Sequence, residues 1–247
     1  MLILLPPSET KREGGIVGSR LALRELGFPS LDAARRAALA ALEELARDPE
    51  ASATALRLGP TQAYEAARNR VVRCSATLPA LDRYDGVLYD ALDASSLPET
   101  ARAFAHEHLA IASALFGLTR ALDPIPAYRL SADSRLPGVP LKHHWAPPIA
   151  AALETHEGLV LDLRSEAYAA LGPAPRRPHA LFLRVVTEEG GRRRALNHFN
   201  KAGKGRLVRA MLLAGIVHPD AESLLAWAAG EGIRLEPGAP GELDLVV

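Results

Sequence analysis

Leu2-Ile3-Leu4-Leu5-Pro6-Pro7-Ser8-Glu9-Thr10-Lys11 runs from four consecutive aliphatic residues into two prolines. An apolar run this short, bounded by turn signals, reads as a buried strand. Pro6 and Pro7 have no amide to donate to a ladder, so the strand ends before them. Ser8, Glu9 and Lys11 then sit in the loop at the strand's carboxyl end, where open sheets place their ligand crevices. The plainer reading of the same residues is a capped turn, with Ser8 bonding the next amides and Lys11 in solvent.

Working outward, the patterning alternates between the two periods. Ser30 stands before an Ala/Leu/Arg/Glu-rich run to about Arg47, which predicts a helix with Ser30 as its N-cap. Further helices are expected over Gln62 to Arg73, from Pro98 to about Leu115, near Ile149–His156, and over Ser165 to Leu171, Gly205 to Leu213 and Ser223 to Ala229. Strands are expected at Leu159–Leu163, Ala180–Val186, Arg194–Phe199 and Leu243–Val247, with a Glu189-Gly190-Gly191 turn joining the middle pair. Gly117 to Pro148 reads as a long, proline-rich irregular centre, the kind of stretch that is functional or disordered. There is no internal repeat, low-complexity segment or clean linker. One α+β domain spanning residues 1–247 is the simplest organisation.

The 247 residues are 48% apolar but only 5% aromatic, so Leu, Ala and Val must fill the core. No apolar run reaches the 18 or so residues a membrane span needs. The start has no basic n-region, and the single cysteine, Cys74, forbids an intrachain disulfide. These features set the expectation of a cytoplasmic protein with no membrane partner. Cys74 reads as a small packed hydrophobe. Net charge is zero, yet charge is segregated along the chain. Between Arg176 and Arg209 ten Lys/Arg face two acids, a net +8, while Asp220 to Val247 carries six acids against one Arg, a net −5. Segregation of this kind creates local fields that the sum conceals; the bland alternative is a solvated hairpin and helix face.

Several motifs fail on spacing. Gly203-Lys204-Gly205-Arg206 lacks the spacing and hydroxyl of a phosphate-binding loop. In His106-Glu107-His108 the two histidines would point to different sides of a helix, and adjacent His143 and His144 diverge in either regular structure. No metal site and no cofactor are expected. Polar residues in special positions remain. They are Ser8, Glu9 and Lys11 after the first strand, Tyr128, Arg129 and Arg135 in the central loop, and Ser165, Glu166 and Tyr168 after the Asp162 strand.

Taken together, six blocks in order resemble the YaaA peroxide-stress family. They are Leu4 to Lys11, Tyr84 to Tyr89, Ser113 to Leu130, Lys142 to Trp145, Leu161 to Tyr168 and Phe199 to Leu207. Departures stand at Thr10, Ala114 and Ala121, where family members carry Gly, Gly and Pro, and Ala167 separates Glu166 from Tyr168. The resemblance implies a compact α+β fold with a mixed sheet, surrounding helices, a helix-hairpin-helix-like element and a positively charged cleft. It also implies survival of hydrogen peroxide, associated with DNA binding and with limiting damage from free iron.

On that resemblance the hairpin candidate is Ser113 to Gly117, whose glycine would let a phosphate approach the backbone. Ala114 puts a methyl group in that path. Lys201, Lys204 and Arg206 would add salt-sensitive phosphate contacts to sequence-independent binding of double-stranded DNA. The rival is an enzyme acting on a small anionic or nucleotide-like substrate. Its cleft would be formed by Glu9, Lys11, Tyr128, Arg129, Arg135, Ser165, Glu166, Lys201 and Lys204, with Glu9 or Glu166 as acid or base.

Overall fold

The computed structural model describes residues 1–189, 192–195 and 200–247. After β1 (Leu2–Leu5) come α1 (Asp32–Leu45), α2 (Pro49–Ala55), α3 (Ala63–Arg70), β2 (Thr77–Pro79), α4 (Ala80–Arg83), α5 (Val87–Leu92) and α6 (Glu99–His108). The chain continues through β3 (Leu109–Ser113), β4 (Gly117–Arg120), β5 (Pro124–Pro126), α7 (Leu141–Glu154), β6 (Val160–Asp162) and α8 (Glu166–Ala169). It closes with β7 (Ala180–Glu189), β8 (Arg192–Ala195), α9 (Asn200–Ala214), α10 (Ala221–Gly230), β9 (Leu235–Pro237) and β10 (Glu242–Val246).

The main sheet is mixed and ordered β4-β3-β1-β6-β7-β10-β9, with β8 also paired to β7. Its five central strands are mutually parallel, and β4, β8 and β9 add antiparallel partners. β2 and β5 form a small antiparallel pair of their own. β1 is sandwiched, Ile3 opposite Leu109 on one side and Leu161 on the other. All four of its side chains are buried, as a strand covered on both faces requires. The chain leaves β1, returns beside it as β3, and only later places β6 on its other flank. The gap between the carboxyl ends of β1 and β6 is therefore the topological switch point of the sheet.

Several expectations are corrected. The helix opened at Pro98 stops at His108 rather than near Leu115, and Leu109–Ser113 is a strand. An Ala-rich run favours helix locally, but pairing with β1 in the sheet centre, with all five residues buried, overrides propensity. The proline-rich centre contains β4, β5 and most of α7. That helix starts at Leu141 and runs through Pro147 and Pro148. Prolines inside a helix cost backbone bonds. The buried stripe Leu141, Trp145, Ile149 and Leu153, spaced by four, offsets that cost. Ser30 lies in a 3-10 turn before α1 and makes no capping bond there. Cys74 is exposed rather than packed, its thiol directed at the Val71 carbonyl. The expected strands at Ala180, Leu159 and Leu243 are present as β7, β6 and β10. The expected Gly190-Gly191 turn and residues 196–199 lie outside the described residues.

Ser113 to Gly117 forms the β3–β4 hairpin, and its residues are buried. Arg35 seals it from within. Its Nε donates to the Phe116 carbonyl at 3.0 Å and its Nη2 to that of Leu118 at 2.7 Å. Trp145 Nε1 donates to the Ala114 carbonyl at 2.8 Å. Gly117 has φ +73, and a Cβ there would lie 2.7 Å from the Trp145 ring. Glycine is required here by sheet-to-helix packing. This hairpin presents no backbone to a phosphate, so the Ser113–Gly117 candidate is withdrawn.

Candidate ligand-binding cleft

At the switch point lies a cavity of about 660 Å³. The loop after β1 contributes Ser8, Glu9 and Thr10, and the turn after β6 contributes Ser165 with Tyr168. The start of α9 contributes Asn200, Lys201 and Lys204; Ser131 and Asp133 complete the polar lining, and Pro6, Leu88 and Tyr89 form an apolar wall. A larger and more open hollow of about 840 Å³ lies along Pro173–Pro178 and β7, lined mainly by Pro and Ala. The smaller cavity is the better candidate, because polar side chains from four separate segments converge on it.

Lys204 forms its floor. It lies on the buried stripe of α9 with Leu207, Val208 and Met211, which carries the amine inward. Gly205 permits this, since α9 approaches α5 so closely that a Cβ would sit 2.2 Å from the Leu88 carbonyl oxygen. Lys204 Nζ donates to the Leu163 carbonyl at 2.9 Å and lies 5.8 Å from the Phe182 ring centroid. Burial lowers its pKa to about 8, helped by the Arg184 charge and opposed by Asp162.

The Leu163 carbonyl is held by the turn after β6. Asp162 Oδ1 accepts from the Arg164 amide at 3.0 Å and from its Nε at 2.8 Å, and Oδ2 accepts from Nη2 at 2.6 Å. Both side chains are buried, and Arg164 Nη1 has no partner. Leu163 N donates to the Leu4 carbonyl at 2.8 Å, tying the turn to β1. Ser165 N-caps α8, accepting from the Tyr168 amide.

Opposite this floor, Lys11 is buried rather than solvated. It bridges to Tyr84, and its Nζ donates to the Ser8 and Glu9 carbonyls, each at 3.1 Å. The ammonium lies 4.4 Å from the Tyr128 ring centroid and 5.4 Å from that of Tyr84. Burial brings its pKa down to about 7, with Arg129 the next largest cause. Tyr128 Oη is 2.9 Å from Tyr84 Oη and 2.7 Å from Ser113 Oγ. Ser113 Oγ already accepts the Leu115 and Phe116 amides, so its own proton is directed to Tyr128, which shares a further hydrogen bond with Tyr84. Arg129 Nη2 donates to Glu9 Oε2 at 2.8 Å. Lys11, Tyr128 and Arg129 thus build the wall that shapes the Ser8–Glu9 loop.

Of the expected residues, Ser8, Glu9, Ser165, Lys201 and Lys204 line the cavity. Arg135 is exposed beside Asp48 and Arg57 in a separate hollow. Arg206 is exposed on α9 outside the cavity, and Glu166 lies 3.6 Å from Arg184 without lining it. Within the +8 segment Arg184 is paired with Glu242, while Arg177 donates to the His156 carbonyl and Arg209 to the Leu92 carbonyl. Ser131, Asp133 and Asn200 were not singled out from sequence. Lys204 offered the clearest signal that was there to read, a lysine in register with an apolar helical stripe. Among the described residues no three His, Cys, Asp or Glu side chains cluster to hold a metal, and no helix is long and apolar enough to cross a membrane.

Fold and site together define an α+β protein with a mixed sheet and a polar cleft at the carboxyl ends of its central strands. The chain belongs to the family described as peroxide stress protein YaaA, which it matches over residues 1–234. It is 44% identical over 255 aligned residues to a UPF0246 protein of Corynebacterium glutamicum, covering all of both chains. A UPF0246 protein of Streptomyces coelicolor is 40% identical across 98% of this chain and 94% of its own. One from a Ruegeria species is 31% identical over 89% of each.

Proposed function

We propose that the protein serves the peroxide-stress response by binding a small anionic, nucleotide-like substrate in the switch-point cleft. The observation that carries this reading is Lys204, a buried amine with one carbonyl partner on the floor of a cavity of about 660 Å³. That volume lies within the roughly 300–1,000 Å³ of small-molecule sites. Lys201 and the hydroxyls of Ser8 and Ser165 would complete an anion subsite. Of the two carboxylates expected to handle protons, Glu9 lines the cavity and Glu166 does not. Calorimetric titration with nucleoside monophosphates tests the reading. Micromolar to millimolar binding that is lost in a Lys201/Lys204 double variant supports it, and an absence of binding in the wild-type protein refutes it.

The second reading is sequence-independent DNA binding in the cytoplasm that limits iron-dependent damage. It is favoured by Lys201 and Arg206, both exposed on α9, and is weakened by the burial of the β3–β4 hairpin. Anisotropy of a labelled duplex across a salt series separates the two. A DNA role requires a steep salt slope that falls by about one for each phosphate contact removed at Lys201 or Arg206.

A further inference from the structure

Only four of the 29 Lys and Arg residues are lysines: Lys11, Lys142, Lys201 and Lys204. The distinction matters because arginine stays protonated, whereas a lysine that loses its proton becomes a nucleophile. Surroundings decide which of the four can do so. Lys142 and Lys201 are exposed. Lys11 is buried but closed in, its amine held by two carbonyls at 3.1 Å and by the Tyr128 and Tyr84 rings, and it does not line the cavity. Lys204 is the one lysine that is both buried, at 5% exposure, and part of the lining.

Among the described residues the Lys204 amine has one hydrogen bond, 2.9 Å to the neutral Leu163 carbonyl. The carboxylates around the cleft are engaged elsewhere. Asp162, next to Leu163, gives both oxygens to Arg164, at 2.8 and 2.6 Å. Glu9 pairs with Arg129 at 2.8 Å, and Asp133 with Arg57 at 3.1 Å. A buried ammonium without a bonded counter-ion is costly, so these surroundings favour the free amine. Burial accordingly lowers its pKa to about 8, which leaves part of the population unprotonated at neutral pH.

We infer that Lys204 is a nucleophile that forms an imine with a small phosphorylated aldehyde in the cleft. The Nζ lone pair adds to the carbonyl carbon, the two amine protons leave with the carbonyl oxygen as water, and a C=N bond replaces C=O. One proton taken back from solvent gives the protonated imine, whose single N–H keeps the Leu163 carbonyl as its partner. The Phe182 ring, with its centroid 5.8 Å from Nζ, lies within reach of the cation so formed. Lys201, in the lining one helical turn before Lys204, is placed to hold the phosphate. The inference rests on the small-ligand reading of the cleft and adds a covalent step to it.

The test is reductive trapping. The full chain is incubated with glyceraldehyde 3-phosphate and cyanoborohydride, which reduces an imine to a stable secondary amine, and the labelled lysine is located by peptide mass spectrometry. At neutral pH Lys204 is expected to label about tenfold or more faster than exposed Lys142, and faster with the phosphorylated aldehyde than with glyceraldehyde. Lys204→Arg should lose the label; because the site is read in the wild-type protein, the test survives a variant that fails to fold. Labelling that follows exposure, with Lys142 and Lys201 ahead of Lys204, overturns the inference. Equal labelling by the two aldehydes overturns the phosphorylated substrate. An unlabelled Lys204 in a protein that still binds nucleoside monophosphate by calorimetry overturns the covalent step alone, and loss of both overturns both readings.

Discussion

Lys204 Nζ and the carbonyl oxygen of Leu163 lie 2.9 Å apart, joining the start of α9 to the turn that follows β6. This contact places a buried amine at the switch point of the sheet. It also makes the cleft depend on groups that never face it, above all the Asp162–Arg164 pair.

The first expectation concerns that pair. Removing one partner of a buried, hydrogen-bonded ion pair strands the other charge, at a cost of about 3–5 kcal/mol. Asp162→Ala is expected to destabilise the protein by that amount, and Asp162→Asn, which keeps part of the bonding, by less. Urea unfolding monitored by circular dichroism measures both. A loss under 1 kcal/mol in Asp162→Ala would show that Arg164 finds another partner.

Anion binding should depend on pH through Lys204. Its pKa is brought down to about 8, chiefly by burial. The ammonium that attracts phosphate is lost as pH rises through that value. Affinity for inorganic phosphate should hold from pH 6 to 7 and decline above pH 8. Lys204→Arg should abolish the decline, because arginine stays protonated. A flat profile in the wild-type protein would place the anion elsewhere.

Folding stability should carry the opposite signature. Lys11 and Lys204 have folded pKa values of about 7 and about 8, against an ordinary 10.5. Between those values and 10.5 the unfolded chain binds more protons than the folded one, so these lysines make stability rise with pH across that window. Below about pH 7 their penalty is fully present and constant. Lys11→Met should remove part of the rise, seen as a smaller gain in Tm from pH 7 to 10 than wild type shows.

Gly117→Ala tests the hairpin. The position combines a left-handed φ of +73 with a Trp145 contact that a Cβ would bring to 2.7 Å. The conformation alone costs about 1–2 kcal/mol, and displacing a packed indole adds to it. The expected result is a loss of about 2 kcal/mol or more in denaturant unfolding. Any DNA affinity measured on the folded fraction should be unchanged, since Gly117 is buried. A selective loss of DNA binding at unchanged stability would restore a phosphate-facing role for the hairpin.

Much of the frame was legible wherever a local pattern had no competitor. Leu2–Leu5 could only be a buried strand, Pro6-Pro7 had to end it, and the loop beyond it does face the crevice. Leu109–Ser113 was misread because Ala and Leu suit a helix, and only β1 alongside makes them a strand. Pro147 and Pro148 concealed α7, whose buried four-residue stripe outweighs two missing amides. Lys11 and Lys204 were legible as functional candidates. That one is a wall and the other a floor was not, because the burial of a lysine depends on which elements close over it.

By itself the sequence determined the family, an α+β chain of alternating strands and helices, and the residue types gathered after the first strand. The family is carried by the resemblance of six motif blocks in their order along the chain, and the rest follows from side-chain periodicity and proline, which are local. Only the tertiary structure decided that β6 lies beside β1, and with it where the cleft opens. The same packing brought Lys204 beneath that cleft, left Arg135 and Arg206 outside it, and buried the Ser113–Gly117 hairpin. Strand order and burial are set by contacts between residues far apart in the chain, and no local pattern records them.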